Sequence, residues 1–97
     1  MAAKRWRYVI VYDITDDRRR TKIAHVLEAH GDRVQYSVFE CHLRDEQFET
    51  LWKELGELME RAEDSLRAYR LCAGCAGWAK RAGQAGEVED VPPVYVV

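Results

Sequence analysis

The run Arg7-Tyr8-Val9-Ile10-Val11-Tyr12-Asp13-Ile14-Thr15-Asp16-Asp17-Arg18-Arg19-Arg20 decides the reading of this chain. Val9, Ile10 and Val11 are β-branched and stand between two tyrosines, the composition of a largely buried strand. Nonpolar residues fall on both faces of that strand, so the sheet it joins is expected to be covered on both sides. Thr15, Asp16 and Asp17 offer N-cap oxygens, and three arginines enter the first turn of the helix that follows. The strand therefore ends on a carboxylate, Asp13, beside a cationic cluster. A hard metal ion and a phosphate chain would need that arrangement. The same residues equally describe a buried strand that ends in a polar turn and a solvated helix.

Outward from this run, Ile23, Val26, Leu27 and His30 recur at helical spacing with Ala24 beside them, which predicts a helix from about Asp17 to His30. Gly31 is the expected left-handed C-cap. His25 and His30 read as dipole partners or boundary residues of that helix rather than ligands. Arg33 to Leu43 is β-prone and too long for one useful strand, so it is read as a hairpin turning near Tyr36-Ser37. In its second arm Phe39, Cys41 and Leu43 share one face, with Val38, Glu40 and His42 on the other. Asp45 is the expected cap of the next helix, whose stripe is Phe48, Leu51, Trp52, Leu55, Leu58, Met59 and Ala62. Its opposite face is acidic and would repel a phosphate backbone.

Ser65 to Leu71 forms a further strand, with Arg67 and Tyr69 on one face and Leu66 and Ala68 on the other. Trp78 to Ala82 is read as a short strand. Val94-Tyr95-Val96-Val97, beyond Pro92-Pro93, reads as an edge strand that completes a partner subunit's sheet. Strand, helix, strand, strand, helix, strand is the α+β, ferredoxin-like βαββαβ sandwich, with both helices on one sheet face. A second copy is the simplest cover for the other face, so a homodimer with an extra C-terminal strand is expected. The expected organisation is a single domain over 1–97, with a core at about 6–82 and a tail strand at about 88–97.

A length of 97 residues allows one core but leaves a poor surface-to-volume ratio, which association would relieve. The net charge of −2 hides an asymmetry: residues 1–36 are basic and residues 37–97 acidic. A basic first third is compatible with nucleic-acid contact. No run of about eighteen apolar residues is present and the N-terminus lacks a signal-peptide pattern, so a cytoplasmic address with no membrane is expected. Cys41, Cys72 and Cys75 do not resemble a secreted disulfide framework. Cys72 and Cys75 have metal-knuckle spacing and with Cys41 and His42 would make a zinc site. The other account is a Gly/Ala-rich turn carrying inert thiols.

The segments from Tyr8 to Arg20, from Gly31 to Cys41 and from Ser65 to Leu71 together resemble the small CRISPR-associated "Cas-two" family. The resemblance implies a ferredoxin-like homodimer whose C-terminal strands extend the neighbouring sheet. It also implies that Asp13 comes from both subunits across the two-fold axis to hold a divalent metal, Mg²⁺ or Mn²⁺. By the same resemblance such proteins are metal-dependent endonucleases on RNA or double-stranded DNA, and they bridge dimers of the CRISPR "Cas-one" integrase during spacer capture. Residues of activity or substrate contact would fall on Tyr12, Asp13, Arg20, Arg33 and Phe39, with Ser37 nearby and Arg18 and Arg19 in the same run.

The chemistry of these residues is compatible with two functions. Paired carboxylates can bind one hard cation with water in the remaining positions, while arginines neutralise phosphate. Yet one aspartate per chain is a thin catalytic apparatus, and neither His25 nor His30 is placed as a base. A non-catalytic DNA-binding scaffold for the integrase is therefore the second expectation, and a toxin-like ribonuclease on the same fold the third.

Overall fold

The structure is a computed structural model and describes residues 4–72 together with Gly74 and Lys80. Its elements are β1 (Arg5–Asp13), α1 (Asp17–Glu28), β2 (Gly31–Gln35), β3 (Val38–Arg44), α2 (Asp45–Leu58) and β4 (Ser65–Leu71). The strands form one antiparallel sheet in the order β2-β3-β1-β4. The run Arg7 to Asp13 thus lies in a central strand, as its β-branched composition requires. This order with two crossover helices is the expected ferredoxin-like arrangement. The expected strands at Trp78–Ala82 and 88–97 lie outside the described residues.

Alternation along β1 sends Tyr8, Ile10 and Tyr12 toward the helices, where each is buried. Phe39, Cys41 and Leu43 of β3 join them, with Ile23, Ala24 and Leu27 from α1 and Leu51 and Leu55 from α2. Each fully buried leucine or isoleucine in this layer contributes roughly 1.5–3 kcal/mol. Tyr8 stacks on Phe48 with ring centroids 4.1 Å apart, and its hydroxyl donates to Asp45 at 3.0 Å.

The opposite sheet face carries Val9, Val11 and Asp13 of β1, Val38 and Glu40 of β3, and Arg67 and Tyr69 of β4. No described helix lies on it. Arg7 and Glu40 are buried there as an ion pair 3.6 Å apart.

Four local expectations are corrected. Helix α1 ends at Glu28, and His30 is exposed rather than part of the apolar stripe. Its Nδ1 sits 2.8 Å from the Val26 carbonyl and closes the last turn. Gly31 is not a C-cap, because Ala29 takes that role in right-handed helical geometry. Gly31 instead opens β2, where a Cβ would collide with the Glu40 carbonyl and lie 2.6 Å from Cys41 Sγ. Asp45 is the first helical residue of α2 rather than its cap; Arg44 is the cap, and its amide donates to Gln47 Oε1 at 2.9 Å. The helix stops at Leu58, so Ala62 falls in the turn beyond it. The hairpin does turn at Tyr36-Ser37.

Candidate functional site

Asp13 ends β1 on the sheet face opposite α1 and α2, two residues beyond Val11 and paired with Ser65 of β4. Its side chain is exposed and makes no hydrogen bond or ion pair among the described residues. The acids that follow it are committed. Asp16 caps α1, its carboxylate accepting from the Arg19 amide at 2.9 Å, a bond that holds its pKa below the ordinary value. Asp17 pairs with Arg20 one turn on.

The three arginines separate into different roles. Arg18 is exposed and forms no salt bridge among the described residues. Arg19 is anchored instead: its Nε donates to Asp64 Oδ2 at 2.8 Å and its Nη2 to Oδ1 at 3.2 Å. The Asp64 side chain is wholly enclosed and also accepts from the amides of Thr15 at 3.1 Å and Glu60 at 2.8 Å. With the Arg19 guanidinium first among these donors, the Asp64 carboxyl is held well below the usual carboxylate range. Arg19 therefore ties the start of α1 to the loop before β4, and its guanidinium is engaged there. Arg20 reaches back to the Ile14 carbonyl through Nη2 at 2.8 Å, which fixes its guanidinium while half of the side chain stays accessible.

Arg20 meets Arg33 at a cleft of about 400 Å³ between α1 and the β2–β3 turn, lined also by Tyr12, His25, Glu28 and Tyr36. Arg33 is exposed and lies over the Phe39 ring, 5.3 Å from its centroid. Such a contact is worth about 0.5–1 kcal/mol at an exposed site and sets the guanidinium's direction. Phe39 and Tyr12 are themselves buried, so their rings lie beneath the surface that Arg33 and Tyr36 present. Their part is support. The Tyr12 hydroxyl donates to the Tyr36 carbonyl at 3.0 Å, and the Tyr12 amide donates to the Ser37 carbonyl at 3.0 Å. Burial raises the Tyr12 pKa, with nearby Arg33 opposing the rise. Ser37 thus contributes a backbone carbonyl that pins the turn.

Sequence reasoning missed Asp64 and Tyr36. Asp64 carries no local signal for this role, because Arg19 and Thr15, which it joins, are far along the chain. An aromatic residue at a predicted turn was the available sign for Tyr36.

The zinc reading does not survive for its strand residues. Cys41 faces the helices and is fully buried, which pushes its thiol up to about 12, while His42 points to the other face and is exposed. Adjacent strand residues cannot converge on one ion. Cys75 lies outside the described residues, and no cluster of three or more His, Cys, Asp or Glu occurs among the described residues. No helix among them is long and apolar enough to cross a membrane.

The family model described as CRISPR associated protein Cas2 matches residues 6–78. The protein named CRISPR-associated endoribonuclease Cas2 3 from Synechocystis is 58% identical over 64 residues, covering 66% of this chain and 70% of that protein. A hypothetical protein from Thermus thermophilus, solved by crystallography, superposes with a TM-score of 0.77 at 36% identity, covering 86% of this chain and 96% of its own. A chain solved in a partial Cas6-RT-Cas1–Cas2 complex shares the fold with a TM-score of 0.71 at 24% identity, covering 95% and 99% respectively.

Proposed function

We propose, proceeding from the fact that this chain belongs to the CRISPR-associated protein Cas2 family, that it works in CRISPR adaptation as a two-fold pair of chains that grips nucleic-acid backbone and cleaves phosphodiester bonds with the aid of a divalent cation. The observation that carries this reading is the free carboxylate of Asp13 on the same sheet face as Val9 and Val11. A second copy packed on that face would cover its valines and bring two Asp13 carboxylates toward each other.

One chain's described residues do not make a metal site alone, but a symmetric pair of hard oxygen ligands suits Mg²⁺ or Mn²⁺, which tolerates one or two carboxylates completed by water and phosphate oxygens. A bound ion of this kind supplies Lewis acidity toward a phosphodiester oxygen and lowers the pKa of water. The chain's own contribution is positional. Asp13 presents negative charge at a fixed strand end, and Arg18, Arg20 and Arg33 neutralise phosphate on either side of α1. Recognition of this sort reads backbone rather than base edges, so affinity falls steeply with salt. The name of the Synechocystis relative supports RNA as a substrate. Similarity in fold to a chain from a complex named for Cas1 supports docking on the integrase.

The test compares wild type with Asp13→Asn for metal-dependent cleavage of RNA and of double-stranded DNA, with the association state followed by gel filtration. Loss of cleavage with association retained is expected; unchanged turnover would overturn the nuclease reading. A second reading, the non-catalytic scaffold, is favoured by a specific observation: Asp16 and Asp64 are committed to structural donors and Asp17 to Arg20, so Asp13 has no partner acid or base among the described residues of its own chain. On that reading Asp13→Asn still supports spacer acquisition, while removing Arg18 and Arg20 together does not.

A further inference from the structure

Tyr36 is the most exposed large hydrophobic side chain among the described residues, 89% accessible at the apex of the β2–β3 turn. Its backbone is nevertheless pinned on both sides by Tyr12, whose hydroxyl and amide hold the carbonyls of Tyr36 and Ser37, each at 3.0 Å. Two loose turn residues would make a poor platform, whereas this ring stands on a mount anchored in the central strand. The cleft below it, about 400 Å³, is within the range of small-ligand clefts and contains both Arg20 and Arg33. Both guanidiniums are oriented before any ligand arrives, one by the Ile14 carbonyl and the other by the Phe39 ring.

Resting on the nucleic-acid reading above, we infer that this cleft holds one unpaired nucleotide, its base stacked on Tyr36 and its phosphate against Arg20 and Arg33. An aromatic face beside cationic groups is the chemistry that holds single strands, because every base has a π-face and every nucleotide a phosphate. Bases within a duplex have both faces occupied by their neighbours, so the Tyr36 ring selects a base that is out of the stack. Glu28 on the cleft wall repels phosphate and accepts hydrogen bonds from base N–H groups, which keeps the phosphate on the arginine side.

Binding of the full chain to a single-stranded oligonucleotide and to a blunt duplex of equal length is measured by fluorescence anisotropy, with 2-aminopurine in the single strand reporting stacking. Tyr36→Ala is expected to weaken single-strand binding by about tenfold or more and to abolish the quenching, with duplex binding changed by less than about twofold. Tyr36→Phe keeps the ring and is expected to behave as wild type, and thermal melts confirm that both variants fold. Single-strand binding by Tyr36→Ala equal to wild type would overturn the inference, as would equal losses on both ligands or a loss in Tyr36→Phe matching that in Tyr36→Ala. If wild type binds neither ligand, the nucleic-acid reading itself falls and takes this inference with it.

Discussion

Gly31→Ala adds a single methyl group at a point where the edge strand β2 crosses close to β3. The new Cβ would lie 2.6 Å from Cys41 Sγ and 2.9 Å from the Glu40 carbonyl carbon, with the Glu40 oxygen closer still. Ordinary contacts of this kind are about 3.5–4 Å, so the strands must separate by on the order of 1 Å. The thiol can rotate, but the carbonyl is part of the strand backbone and cannot yield alone. Because β3 is the only neighbour of β2 in the sheet among the described residues, β2 can peel outward rather than disrupt the core. Overpacking of this sort costs about 1–3 kcal/mol. For a domain of this size that is a fall in Tm of about 5–20 °C. Thermal unfolding followed by circular dichroism measures it. The double variant Gly31→Ala with Cys41→Ala removes the thiol contact and leaves the carbonyl contact, so most of the loss is expected to persist. Because Arg33 rides on the same strand, Gly31→Ala is also expected to weaken the nucleic-acid binding proposed above. A Tm unchanged by Gly31→Ala, or full recovery in the double variant, would refute the argument that the backbone of β3 imposes glycine.

Asp64→Asn removes the charge that anchors Arg19. Since the folded carboxyl lies below its unfolded value, the anchor stabilises the protein fully above about pH 4, and that contribution is lost as pH falls further toward the folded value. Melts of wild type and Asp64→Asn should therefore differ at neutral pH and converge in strong acid; a constant gap down to low pH would contradict this. Arg33→Ala should reduce the slope of log affinity against log salt by about 0.7–0.9, one phosphate contact, whereas an unchanged slope places Arg33 off the backbone. Cys41, buried and with its thiol pushed up to about 12, should resist iodoacetamide in the native protein at mildly alkaline pH while exposed Cys72 reacts; peptide mapping decides, and equal labelling would exclude the burial described.

Much of the fold was legible because its signals are local. The β-branched run of β1, the stripe through Phe48, Leu51 and Leu55, and the alternation of Phe39, Cys41 and Leu43 each need only a window of a few residues. The errors came where partners are remote. Gly31 looked like a helix stop because the sequence does not reveal that Glu40 and Cys41 press against it. Arg19 looked interchangeable with Arg18 and Arg20 because Asp64, its partner, is 45 positions away. The place of Asp13 at a strand end is a local fact and could be read from the sequence. The burial of Tyr12 and Phe39 beneath Tyr36 and Arg33 is a three-dimensional one, and only the fold divides support from surface.

Asp64 also joins two connections that the chain keeps apart. Its carboxylate clasps Thr15, just past β1, and Glu60, just past α2, while Ser65 beside it pairs with Asp13. The two crossings at this end of the sheet consequently behave as one rigid bracket. Lengthening the connection after Leu58, although remote in primary structure from the first strand, would swing Asp13 out of alignment. Grafts and sequence drift in that connection are thus constrained by the Asp64 carboxylate within it, which must still reach Thr15 and Arg19 across the fold.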